Sequence, residues 1–127
     1  MTETTGKPMS IPHLHLRDTD LIVVKRTPAG VEAWIHRAGG RPSLRLPHVG
    51  HQSATGFEYG YDGYGPAALA WSILAVCTHA ETAEELHELF KRDRVARETA
   101  DRWMIKAGTV REWVAGALVE NDHGLVD

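Results

Sequence analysis

The chain has 127 residues, 43% of them hydrophobic, and a formal charge of -3; at this size it buries roughly two thirds of its unfolded surface and needs neither disulfides nor a metal to be stable. No run approaches the roughly 18 apolar residues of a membrane span, and the polar N-terminus lacks the apolar core of a secretory signal, so neither insertion nor secretion is expected. Cys77, the single cysteine, lies among Leu74, Ala75 and Val76; it reads as a small buried thiol without a cation to activate it, and fits a cytoplasmic setting.

Residues 1–12 have the composition of a tail, 13–120 read as one α+β domain, and 121–127 as a second tail. Leu21 to Arg26 is β-branched and apolar, which predicts a strand. Thr27-Pro28-Ala29-Gly30 has turn chemistry and should join it as a hairpin to Val31–Arg37, where Val31, Ala33 and Ile35 share a face. Ala38-Gly39-Gly40 predicts a second turn, and Ser43–Leu46 a short third strand with Leu44 and Leu46 inward. The N-terminal half is therefore an antiparallel meander.

The period then changes. Gly65-Pro66 opens a helix from Ala67 to about Thr78, with Leu69, Ala70, Ile73, Leu74 and Cys77 at helical spacing and enough aliphatic density to be central. Thr82-Ala83-Glu84-Glu85 has the pattern of a capping box and predicts a second helix running past Phe90, with Leu86, Leu89 and Phe90 as its apolar stripe. Thr109-Val110-Arg111-Glu112 repeats that pattern before Val110, Trp113, Val114, Ala117 and Leu118, spaced i, i+3, i+4, i+7, i+8. Meander plus three C-terminal helices is the expected architecture.

Charge is unevenly placed. No Lys or Arg lies between Arg45 and Lys91, a stretch whose charges are all acidic, whereas Lys91 to Lys106 holds six basic residues against three acidic ones. Cations with Trp103 among them could neutralise phosphates and stack a base, so Arg92, Arg94, Arg97, Arg102 and Trp103 form a candidate nucleic-acid site. Asp93, Glu98 and Asp101 interrupt the run, and a solvated helix end explains it as well.

The most specialised segment is Gly56 to Pro66, with four glycines and four aromatics in eleven residues. Read as extended, it places Phe57, Tyr59 and Tyr61 on one face, with Phe57 assigned to the core. A tyrosine whose hydroxyl meets water makes an anchor of the kind enriched at protein interfaces, and an acid beside it favours a basic partner surface. Tyr59, Tyr61, Asp62 and Tyr64 are accordingly the candidate partner-binding residues. The opposing reading has all four aromatics packing sheet against helix.

The run Ser53 to Leu74, with Phe90-Lys91-Arg92 and Trp113 beyond it, resembles a family of small proteins of bacteria, their phages and plasmids. Its members share a Gly-Phe-Glu-aromatic-Gly-Tyr loop and a Gly-Pro-led Leu/Ala helix and have no assigned activity. The resemblance covers about the C-terminal two thirds and implies that loop and helix form the shared core. Tyr59 stands where Trp is usual and Tyr64 where a small residue is usual, which points to Tyr64 serving a partner particular to this protein.

Catalytic patterns are incomplete. The glycine-rich loop 60–66 lacks the Lys-Ser/Thr of a P-loop and the spacing of a dinucleotide fingerprint, and Asp62, better suited to capping the helix, would repel phosphate. Gly60-Tyr61-Asp62-Gly63 matches the loop of a KH domain only in its glycines. His13 with His15, and His48 with His51, are pairs without the third and fourth ligands of a zinc site, so no metal or other cofactor is expected. Ser53 or Ser72 in a triad, or Glu58 with Asp62 as paired carboxylates, lack the surrounding motif. The expectation is a non-enzymatic interaction module of phage or mobile-element character that binds and inhibits a host protein. Nucleic-acid binding through 91–106 and anion chemistry at 60–66 are the alternatives, and the oligomeric state is left open.

Overall fold

The computed structural model describes residues 14–50 and 56–126, with side chains to residue 120. The N-terminal tail, His13, His51 and Ser53 lie outside the described residues.

β1 (Leu21–Thr27) and β2 (Gly30–His36) form the expected hairpin, paired from Leu21↔His36 to Thr27↔Gly30. The turn is closed by Thr27, whose hydroxyl donates to Gly30 O at 2.8 Å and accepts from Ala29 N at 3.1 Å, the side chain standing in for a backbone turn bond. β3 (Leu44–Arg45) adds to the outer side of β2. A fourth strand, β4 (Arg102–Lys106), pairs antiparallel with β1 and gives the order β3-β2-β1-β4. The basic run expected at a helix end is thus partly sheet: Trp103 and Ile105 face the core while Arg102, Met104 and Lys106 face out. Strand alternation, not helical spacing, explains those charges.

Three helices complete an α+β fold: α1 (Tyr64–Cys77), α2 (Ala80–Asp93) and α3 (Ala107–Val126), with a 3-10 turn at Val95–Arg97. α1 is buried on nearly every side, as its unbroken apolar composition requires. One hydrophobic cluster joins Ile22, Val24, Ala33 and Ile35 of the sheet to Leu69, Ile73 and Leu74 of α1, and to Leu86 and Phe90 of α2.

Neither predicted capping box caps a helix. α2 begins after His79, so Thr82 and Glu85 lie within it. α3 follows β4 without a loop, and its leading amides, Ala107 N and Gly108 N, donate to Asp20 O and Asp18 O at 2.8 and 2.9 Å. Backbone carbonyls brought by the tertiary fold do the work a side chain would otherwise do. The same Asp20 accepts from Arg17 N and Ala38 N through its buried carboxylate and pairs with Arg41 at 2.8 Å, tying the entry to β1 to the turn after β2.

Candidate functional site

All three tyrosines of the chain lie in the segment leading into α1, and the structure divides them. Tyr59 is buried: its hydroxyl donates to Ala100 O at 2.7 Å, its ring packs edge-on to Trp103 at 5.7 Å, and the Arg26 guanidinium lies 4.2 Å from its centroid. Burial, opposed by Arg26, pushes its phenol above the ordinary value. Tyr59 therefore leaves the candidate partner surface and becomes the peg that fastens the segment to the start of β4. Phe57 is half-buried and stacks on His48 at 4.7 Å.

The expected common face of Phe57, Tyr59 and Tyr61 ends at Gly60. Its φ of +89 breaks the extended alternation, a conformation that other residues adopt only at a cost. Its amide donates to Val95 O at 3.1 Å, so the reversal is fixed from outside the segment as well. Beyond it Tyr61 is 50% exposed and Tyr64, at the first position of α1, is 88% exposed. Two of the predicted anchors thus stand in water, three residues apart on one short stretch.

Asp62 does not cap α1, whose preceding residue Gly63 carries no side-chain cap. It turns instead to Lys91 of α2, accepting from Nζ at 2.6 Å, while Glu88 accepts from the same nitrogen at 2.7 Å. Hydrogen bonding to Lys91 holds both carboxyls below their ordinary values. Burial alone would lower the Lys91 ammonium, but its bonds to Asp62 and Glu88 outweigh that and raise it. Hence hydrogen bonds of Tyr59 to Ala100, Gly60 to Val95 and Asp62 to Lys91 help hold the segment.

The candidate nucleic-acid residues are not assembled in the same way. Arg92, Arg94, Arg97 and Arg102 are all exposed, but they are distributed over the end of α2, the 3-10 turn and β4. Trp103 is only 8% exposed in the sheet, so its indole cannot stack a base.

Ser72 is buried, its hydroxyl accepting from Val49 N at 2.9 Å. A cleft of about 410 Å³ is lined by Leu16, Cys77, His79 and Arg111 among others. Arg111 is committed there, donating to Cys77 O, Leu16 O and Asp18 Oδ1 at 2.6 to 2.8 Å, a cation that the sequence around Cys77 does not reveal. The Cys77 thiol is nevertheless pushed up to about 12 by burial, against the lowering by Arg111. Cys77 should resist iodoacetamide at pH 8 in the folded protein and react fully in denaturant; comparable rates in both states would contradict its burial. Among the described residues no group of three or more His, Cys, Asp or Glu converges to hold a metal.

A family model matches residues 23–116, from within β1 to well into α3. The chain belongs to that family, DUF6166, a family of unknown function. No curated protein and no solved structure matches the chain. The family match spans the tyrosine segment, the Asp62–Lys91 pair and β4 together. No helix among the described residues is long and apolar enough to cross a membrane.

Proposed function

We propose that this member of the family is a non-enzymatic module that binds a protein partner through Tyr61 and Tyr64, with Asp62 between them. The observation that carries the reading is the exposure of both rings, 50% and 88%, on a segment otherwise fastened to the core. Ordering a free side chain on binding costs roughly 0.5–1.5 kcal/mol, and a backbone already held by Tyr59, Gly60 and Asp62 removes most of the loop's share of that cost. Large rings at fixed positions are what interface anchors require. Asp62, with its side chain 63% exposed despite the ion pair, can still accept a hydrogen bond from a basic partner. The free thiol of Cys77 suits an encounter inside the cell. That the partner is a host protein whose activity is restrained is inferred from the resemblance to proteins of phages and plasmids and from the incomplete catalytic patterns.

Capture on the immobilised protein, with and without nuclease, tests this against a Tyr61→Ala, Tyr64→Ala variant. Both rings are exposed, so the variant should retain its stability within about 0.5 kcal/mol per site. The expected result is a stoichiometric protein that survives nuclease and is lost with the variant. Recovery that depends on nucleic acid and ignores the tyrosines would overturn the proposal.

A further inference from the structure

β4 is the edge of the sheet and pairs only with β1 among the described residues. The rungs flanking the ladder, Arg26 N to Asp101 O at 2.9 Å and Ala107 N to Asp20 O at 2.8 Å, fix its parity. Asp101, Trp103, Ile105 and Ala107 turn their backbone groups to β1. The amides of Arg102, Met104 and Lys106, and the carbonyls of the first two, consequently turn to the open side. Unpaired groups in such a row are a template for another strand.

A cleft of about 390 Å³ runs beside this edge, with Trp103 and Ile105 from the strand, Arg94 and Lys106 as cations, Thr109 from α3 and Glu98 as its one acid. The indole N–H of Trp103 is buried and has no acceptor among the described residues. A buried donor left unpaired forfeits its bonds to water without replacement, and such groups ordinarily have a partner. Basic residues on an edge also keep like edges apart, which explains the charge of β4 but neither the cleft nor the unpaired indole.

We propose that the β4 edge and its cleft take an acidic extended peptide, added to the sheet as a further strand. Its backbone would meet the open groups of Arg102 and Met104, its carboxylates Arg94 and Lys106, and an acceptor on it the Trp103 N–H. A second copy of this chain fits poorly, because antiparallel pairing of β4 about Met104 sets Arg102 against Lys106 and like charges directly opposite destabilise a pair. This surface is separate from Tyr61 and Tyr64 and stands or falls without them.

The probes are a fluorescent peptide alternating Val with Glu, its Val/Lys counterpart, and a labelled single-stranded oligonucleotide, each titrated against the wild-type protein, Met104→Pro and Arg94→Glu. Proline is tolerated on an edge where its missing N–H faced solvent, and a thermal melt checks that the variant folds; Arg94→Glu, exposed and off the strand, keeps the test decisive if it does not. The expected result is binding of the Val/Glu peptide that shifts the Trp103 indole N–H resonance and weakens at least about tenfold in each folded variant. Tyr61→Ala, Tyr64→Ala should leave it unchanged. No binding of that peptide, binding indifferent to both substitutions, or preference for the Lys peptide or the oligonucleotide overturns the proposal.

Discussion

Asp20→Ala is expected to destabilise the protein by about 3–5 kcal/mol, the range for breaking one side of a buried, hydrogen-bonded pair, which lowers the melting temperature by roughly 10–20 °C. Asp20 is fully buried, and its carboxylate accepts from Arg17 N, Ala38 N and the Arg41 guanidinium at 2.8 to 3.0 Å. Alanine leaves all three donors without that acceptor. Burial by itself would raise this carboxyl, but the bonds from Ala38, Arg17 and Arg41 together hold it below its ordinary 3.8. A folded-state pKa below the unfolded one makes the contribution fully present above about pH 4 and lost as pH falls through the folded value. The stability gap between wild type and variant, measured by urea unfolding, should therefore be widest near neutral pH and narrow in acid. A gap under about 1 kcal/mol at pH 7, or one that widens in acid, would contradict this role.

Gly50→Ala should be nearly as damaging, at about 2–5 kcal/mol. Gly50 has φ +83, and an added Cβ would clash with the Trp71 ring. The left-handed backbone costs a side chain roughly 1–2 kcal/mol and overpacking about 1–3 more. Trp71 cannot simply swing aside, because its ring is stacked on His87 at 4.2 Å. Gly40 is the control: it has φ +75 but nothing within 4 Å of an added Cβ, so Gly40→Ala carries only the backbone cost. Equal melting temperatures for the two variants would show that the Trp71 contact does not constrain the site.

Much of the architecture was legible in local pattern. The Leu21–Arg26 run and the Thr27–Gly30 turn are strong hairpin signals, and the aliphatic density after Pro66 marks a central helix because few residues there could face water. β4 was not legible: its five residues carry charge at both ends inside a basic run, and only pairing with β1 makes their alternation meaningful. The two capping patterns misled for a related reason, since partners distant in sequence supply what the helix starts need.

The candidate site was legible in composition and not in geometry. Tyr61 and Tyr64 are exposed as expected of anchors, while Tyr59 and Trp103 are buried against each other. Reading the tyrosine segment as extended missed the reversal at Gly60, because a glycine's φ is not written in its neighbours. The attachment of Asp62 to Lys91 pairs residues on different elements, and Asp20, which precedes β1 like any turn residue, carries no sequence sign that it will be enclosed.

The proposed function turns on which tyrosines face water and a partner, and tetranitromethane modification read residue by residue in a mass spectrometer tests this most directly. In the free, folded protein Tyr64 and Tyr61 should be nitrated and Tyr59 spared; in the complex with the captured partner the first two should be protected. Nitration of Tyr59 at the rate of Tyr64, or unchanged nitration of Tyr61 and Tyr64 in the complex, would contradict it.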